Sequence, residues 1–209
     1  MLIDQTTLLT YVYILIGFVF IPGPAILLTL SRATTSGVRV GLVTGLGLAL
    51  GDFVHTILVA IGLSSVIMAS PFLFTLIKSL GACYLIYLGI KIFTVKANAI
   101  NSNIANVISS NIAFKQAFII EILNPKTALF FLAFLPQFVN TENGYVHLQF
   151  IILGSLFVVA GLLSTIVVAL CAGKVSSFII KSPTIMYWQN KAVGLIYCTL
   201  GLGVAFQYM

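Results

Sequence analysis

The sequence predicts an all-α integral membrane protein of six transmembrane helices, arranged as two inverted repeats of three in which the first and fourth helices are broken. Three observations lead there. Of the 209 residues, 60% are hydrophobic and 7% are charged, whereas a soluble domain carries roughly a quarter charged residues to keep its surface wet. The apolar residues fall into six runs, 8–30, 40–68, 72–93, 113–139, 148–172 and 186–208, each matching the ~20 residues a helix needs to cross a hydrocarbon core. Breaking residues recur in the opening run of each half, at Pro22-Gly23-Pro24 and at Asn124-Pro125-Lys126. The runs lack the dyad alternation of a membrane barrel.

Each element follows in order. The start, Met1-Leu2-Ile3-Asp4, lacks the positive region of a cleavable signal peptide, so the first run is expected to remain as a membrane helix. Inside it, two prolines around a glycine remove backbone donors and clash with the preceding turn, which breaks the helix rather than bending it. The second run is long for one crossing and is expected to tilt or to begin outside the hydrocarbon. It is dense in glycine, at Gly37, Gly41, Gly45, Gly47 and Gly51. Spacing by four puts small residues on one face, where another helix backbone can approach closely. Ala69-Ser70-Pro71 makes a tight turn into the third run. The chain is expected to be a single polytopic domain, 1–209, with a first repeat at about 1–97, an Asn- and Ser-rich linker at about 98–112 and a second repeat at about 113–209. In the fourth run, Pro136-Gln137 marks the end of the helix. Tyr11, Tyr145, Trp188 and Tyr208 stand near run ends and fit interfacial belts. Cys83, Cys171 and Cys198 have neither metal-ligand nor disulfide spacing and are expected as buried free thiols.

Charge sets the orientation. The net charge of +6 is spread singly, so no run of Lys and Arg tracks phosphates and no nucleic-acid partner is expected. Arg32 and Arg39 follow the first run, Lys91, Lys96 and Lys115 flank the linker, and Lys174, Lys181 and Lys191 follow the fifth run. The opposite side carries Asp4, Glu142 and His147, with Lys78 as an exception free to snorkel. By the positive-inside rule the basic loops are cytoplasmic and both termini face outward.

With three runs in each half, the first run points inward and the fourth outward. Paired breaks in oppositely oriented helices are the sequence pointer to a transport site; independent proline kinks are the alternative. Freed carbonyls and amides at the breaks must face protein or a watery cavity. Asp52 lies near the middle of the second run, with His55 one turn later. A carboxylate there marks function by default, in binding substrate or a proton; His55 either joins it or only bonds a neighbouring carbonyl. Glu121 and Lys126 are five apart, so they either line one cavity once the helix breaks at Pro125, or Glu121 snorkels to the boundary. Asn124 offers both donor and acceptor groups at the break.

These pieces together resemble the LysE/RhtB family of bacterial amino-acid exporters over essentially the whole chain. The resemblance is carried by Pro22-Gly23-Pro24, the glycine run from Gly37 to Gly51 ending in Asp52, Leu123-Asn124-Pro125-Lys126, and Phe134-Leu135-Pro136-Gln137-Phe138. It implies export of an amino acid or close derivative across the bacterial inner membrane, driven by the proton motive force. Substrate binding is then expected at Pro22, Gly23, Pro24, Asp52, Asn124, Pro125 and Lys126, and proton coupling at Asp52, Glu121 and His55.

The competing readings are a cation, metal or other small-solute transporter using Asp52 and His55, and an intramembrane enzyme using Asp52, His55 and Glu121. No metal site and no cofactor is expected, and no paired-Asp, zinc or serine motif supports an enzyme. The expected partners are an amino-acid substrate and the lipid bilayer, with assembly as a homo-oligomer left open.

Overall fold

The computed structural model describes residues 2–21, 23–94 and 107–172, together with 191, 194, 195, 198, 199 and 202. Every regular element among the described residues is helical. Helix α1 (Gln5–Val19) starts where the Asp4 carboxylate accepts the amides of Thr6 and Thr7 at 3.0 and 3.3 Å, satisfying two of the four donors orphaned at a helix start. The chain breaks after Phe20 and resumes as α2 (Pro24–Ser36), bent by 48°. Gly37, at φ 93°, joins α2 directly to α3 (Val38–Leu58), a backbone that a Cβ would strain.

Helix α3 runs through a π-helical turn at Val59–Leu63 into α4 (Ser64–Ala69). One extended residue, Ser70, then turns the chain into α5 (Pro71–Thr94), at the tight turn expected there. In the second half, α6 (Ser110–Ile122) gives way at Leu123 and Asn124 to α7 (Pro125–Leu129). A π-helical turn, Phe130–Phe134, and a 3-10 turn, Leu135–Phe138, complete this limb. It lies 42° from α6, and its helix ends where Pro136-Gln137 predicts. Helix α8 (Val146–Leu170) follows.

Among the described residues, two helical stretches are long and apolar enough to cross a membrane, Val38–Val66 and Val146–Leu170, and four are if each bent pair counts as one span. The third expected run lies within α5. The sixth, 186–208, and most of the linker lie outside the described residues.

Helix α3 is the hub, packing most extensively against α6, α8 and α2. Its glycines allow this, on two faces rather than the single face expected from spacing. A Cβ on Gly41 would stand 2.6 Å from Ala33 Cβ, and one on Gly45 2.6 Å from Thr165 Oγ1, so this face meets α2 and α8. A Cβ on Gly47 would stand 2.5 Å from the Phe114 carbonyl oxygen, and one on Gly51 2.6 Å from Glu121 Cβ, so the second face meets α6.

Two apolar clusters form the interior. One gathers Leu15, Phe18, Phe130, Phe131, Phe134, Phe150 and Phe157; the other gathers Ile26, Leu30, Ala33, Val168 and Ala169. The break between α1 and α2 falls between them, because α1 packs in the first cluster and α2 in the second.

Two sequence expectations need correction. Tyr11 is not a belt residue: it is 0% exposed and donates to the Leu153 carbonyl at 2.8 Å, since a buried phenol needs an acceptor. Cys83 and Cys171 are free thiols but exposed ones, and Cys198 is half-buried, because apolar side chains of a membrane helix can face lipid as well as the interior. Trp188 and Tyr208 lie outside the described residues.

Candidate functional site

Both helix breaks open on one cavity of about 50 Å³ between the two apolar clusters, room for a few water molecules. Gly23, Pro24 and Ala25 reach it from the first break, and Glu121, Asn124, Lys126 and Thr127 from the second. Helix α3 contributes Asp52, and α8 contributes Phe157, Gly161, Ser164 and Thr165.

The groups freed by one break are satisfied largely by side chains from elsewhere. Lys126 Nζ reaches across to donate to the carbonyls of Phe18 and Ile21 at 3.4 and 3.3 Å, and sits 4.3 Å from the Phe18 ring centroid. Ser164 donates to the Val19 carbonyl at 3.0 Å. These are the last carbonyls before the first break, which a continuous helix would have used itself. At the second break, Asn124 caps α7 by accepting the Lys126 amide at 3.0 Å. Pro125 and Pro24 occupy the first helical position of α7 and α2, where a missing N–H costs nothing.

The carboxyls are buried, Asp52 to 6% exposure and Glu121 to 2%. One Glu121 oxygen, Oε1, accepts from Asn124 Nδ2 at 3.0 Å and from the Thr127 hydroxyl. The other, Oε2, and Asp52 Oδ1 are buried without a hydrogen-bond partner among the described residues. Asp52 lies within electrostatic reach of Glu121 and Lys126. The ammonium of Lys126 therefore serves backbone carbonyls, while one oxygen of each carboxyl is left without a donor among the described residues.

Of the residues singled out in the sequence, Gly23, Pro24, Asp52, Glu121, Asn124 and Lys126 line this cavity. Glu121 does not snorkel. Pro125 sets the break but does not line the cavity, and Pro22 lies outside the described residues. His55 takes the second course left open for it, a contact with a neighbouring carbonyl. Its Nε2 stands 3.1 Å from the Glu121 carbonyl oxygen, its ring stacks on Phe131, and it lines a separate apolar pocket with Leu58 and Leu63. Sequence reasoning missed Thr127, Gly161, Ser164 and Thr165. The small and polar positions of α8, set within an otherwise large apolar run, were the available signal.

The family model for LysE type translocators matches residues 16–208. The chain belongs to this family of membrane translocators. A membrane protein of Bacillus subtilis (strain 168), YrhP, is 39% identical over 75% of this chain and 79% of its own length. A leucine efflux protein of Salmonella typhimurium (strain LT2) is 29% identical over 90% of this chain and 89% of its own. A membrane protein of Vibrio cholerae is 29% identical over 94% of this chain and 95% of its own. No solved structure matches significantly.

Proposed function

We propose that this protein exports an amino acid or a close derivative across the bacterial inner membrane, driven by the proton motive force. The observation that carries the reading is the meeting of two broken helices at one cavity that holds two buried carboxyls and an ammonium. A zwitterion needs an anion site and a cation site close together, and irregular backbone at membrane depth occurs where it lines such a cavity. The likeness to leucine efflux proteins supports the amino-acid class.

Residues Gly23, Pro24, Asp52, Asn124 and Lys126, with Pro22 and Pro125 shaping the breaks, bind the substrate. Asp52 and Glu121 hold the coupling proton between them, and His55 positions Glu121 through its carbonyl oxygen. A proton taken up there replaces the substrate ammonium as it leaves outward, which couples proton entry to export. The fold that does this has six spans in inverted repeats of about 1–97 and 113–209, with both termini outside. The matching construction of the two breaks, each with proline at the first helical position, supports the repeat. Alternating access is the rocking of one repeat against the other.

The test is efflux from cells that lack their own exporters and are fed a panel of dipeptides to raise internal amino acids. Faster efflux of one or a few amino acids, abolished by an uncoupler, is expected. No change for any of them, with the protein present in the membrane, removes the reading.

A further inference from the structure

We infer that Gly161 and Gly23 are specificity-determining residues that hold open the two poles of one ligand site: an ammonium pole at Asp52 and Glu121, and a carboxylate pole at Lys126. The inference rests on the exporter reading and adds to it which end of the substrate lies where.

Glycines in a helical bundle usually serve close packing, and most here do. A Cβ on Gly41, Gly45, Gly47, Gly51 or Gly154 would collide with atoms of a neighbouring helix, and one on Gly17 or Gly62 would meet nothing. Gly161 and Gly23 fit neither class. Among the described residues, the only atom within 4 Å of a Cβ on Gly161 is Asp52 Oδ2, at 3.3 Å. A Cβ on Gly23 would meet Lys126 Cδ at 3.3 Å and Nζ at 3.4 Å. Helix packing thus requires glycine at neither position. What a methyl would crowd, in both cases, is a charged side chain lining the cavity.

The chemistry of the two poles differs. Asp52, whose Oδ2 lies beside Gly161, is close enough to Glu121 for the two carboxyls to interact, and Asp52 Oδ1 and Glu121 Oε2 are buried acceptors with no donor among the described residues. A buried acceptor without a donor is costly, and a primary ammonium brings three donors. Beside Gly23, the Lys126 ammonium lies next to the opening turn of α2, which has no side-chain cap and lines the cavity with Ala25 and Ile26. Its amides and the ammonium together suit a carboxylate. The start of α7 is already closed by Asn124, so the carboxylate belongs at α2. The substrate class is then an α-amino acid with a free ammonium, and N-acylated forms, which carry no ammonium, are excluded.

The test uses the purified full chain in lipid nanodiscs, with calorimetric binding of leucine, its decarboxylated amine and N-acetylleucine. Gly161→Ala, Gly161→Ser and Gly23→Ala are compared with wild type and with Gly17→Ala, whose added methyl meets nothing. Wild type is expected to bind leucine and, more weakly, the amine, but not N-acetylleucine. Both Gly161 variants should weaken leucine and amine alike by about tenfold. Gly23→Ala should weaken leucine about tenfold and leave the amine unchanged. Wild-type affinity in both Gly161 variants, binding of N-acetylleucine as tight as leucine, or binding of no probe at all overturns the assignment. Export of leucine with an unchanged KM in the Gly161 variants keeps the exporter reading and removes the poles. The expected binding pattern in a protein that exports no amino acid keeps the poles and removes the exporter reading.

Discussion

Asp52 and Glu121 sit in a chain with four acidic residues in all, and each costs about 3 kcal/mol at the centre of a bilayer. Among the described residues Lys126 lies within electrostatic reach of both but donates to Phe18 and Ile21, and Glu121 uses one oxygen on Asn124 and Thr127. In the proposed mechanism, the oxygen left open on each carboxyl is where a transient partner binds. Asp52→Asn, which keeps the shape and removes the charge, is expected to abolish export in the dipeptide-fed cells, and a wild-type rate with unchanged pH dependence removes Asp52 from the mechanism. Lys126→Met should reduce export by at least about tenfold, since it strips both the ammonium and the donor to the freed carbonyls. Normal export by that variant, at normal protein level, counts against the bridge between the breaks. At this scale the sequence was legible wherever charge stood in an apolar run, which marked Asp52, Glu121 and Lys126. It marked Gly161 and Ser164 only as small and polar positions in an apolar run, and their partners lie far along the chain: Ser164 bonds the Val19 carbonyl. For His55 it left two courses open, joining Asp52 or bonding a neighbouring carbonyl, and the ring meets the Glu121 carbonyl while stacking on Phe131.

Proline and glycine write the two breaks directly into the local sequence, so these elements could be read before any contact was known. The bends of 48° and 42° bear that out. The π-helical turns at Val59–Leu63 and Phe130–Phe134 could not be read, since no local residue demands them. Both turns pack in the aromatic cluster of Phe18, Phe130 and Phe157. Restoring the helices should harm transport more than folding: Pro24→Ala and Pro125→Ala are each expected to reach the membrane and to lose most export. If both transport normally, the breaks are kinks and nothing more. The opposite split is expected at the α3–α6 contact. A Cβ on Gly47 would stand 2.5 Å from the Phe114 carbonyl oxygen and 3.0 Å from Ala117 Cβ, so Gly47→Val should cost about 1–3 kcal/mol through overpacking. A lowered melting temperature in detergent is the readout, and unchanged stability contradicts the packing described here.

The whole molecule separates two apolar clusters by a polar layer, with α3 and α8 running past it and both broken spans yielding at it. In the proposed mechanism one repeat tilts against the other at this layer, where Lys126 and Ser164 hold the carbonyls of Phe18, Ile21 and Val19. Composition made the membrane class and the helical fold legible at once, through 7% charged residues and six long apolar runs. Which helices touch was not legible, because in lipid the small residues that decide contact look alike along a run; the two glycine faces of α3 are the example. The most direct measurement is made on the purified protein in liposomes loaded with a labelled amino-acid panel, with a proton gradient imposed, acid outside. Efflux of one or a few amino acids that the gradient accelerates, and that Asp52→Asn abolishes, is the predicted result. Efflux no faster than from protein-free liposomes, or indifferent to both the gradient and Asp52, would contradict it.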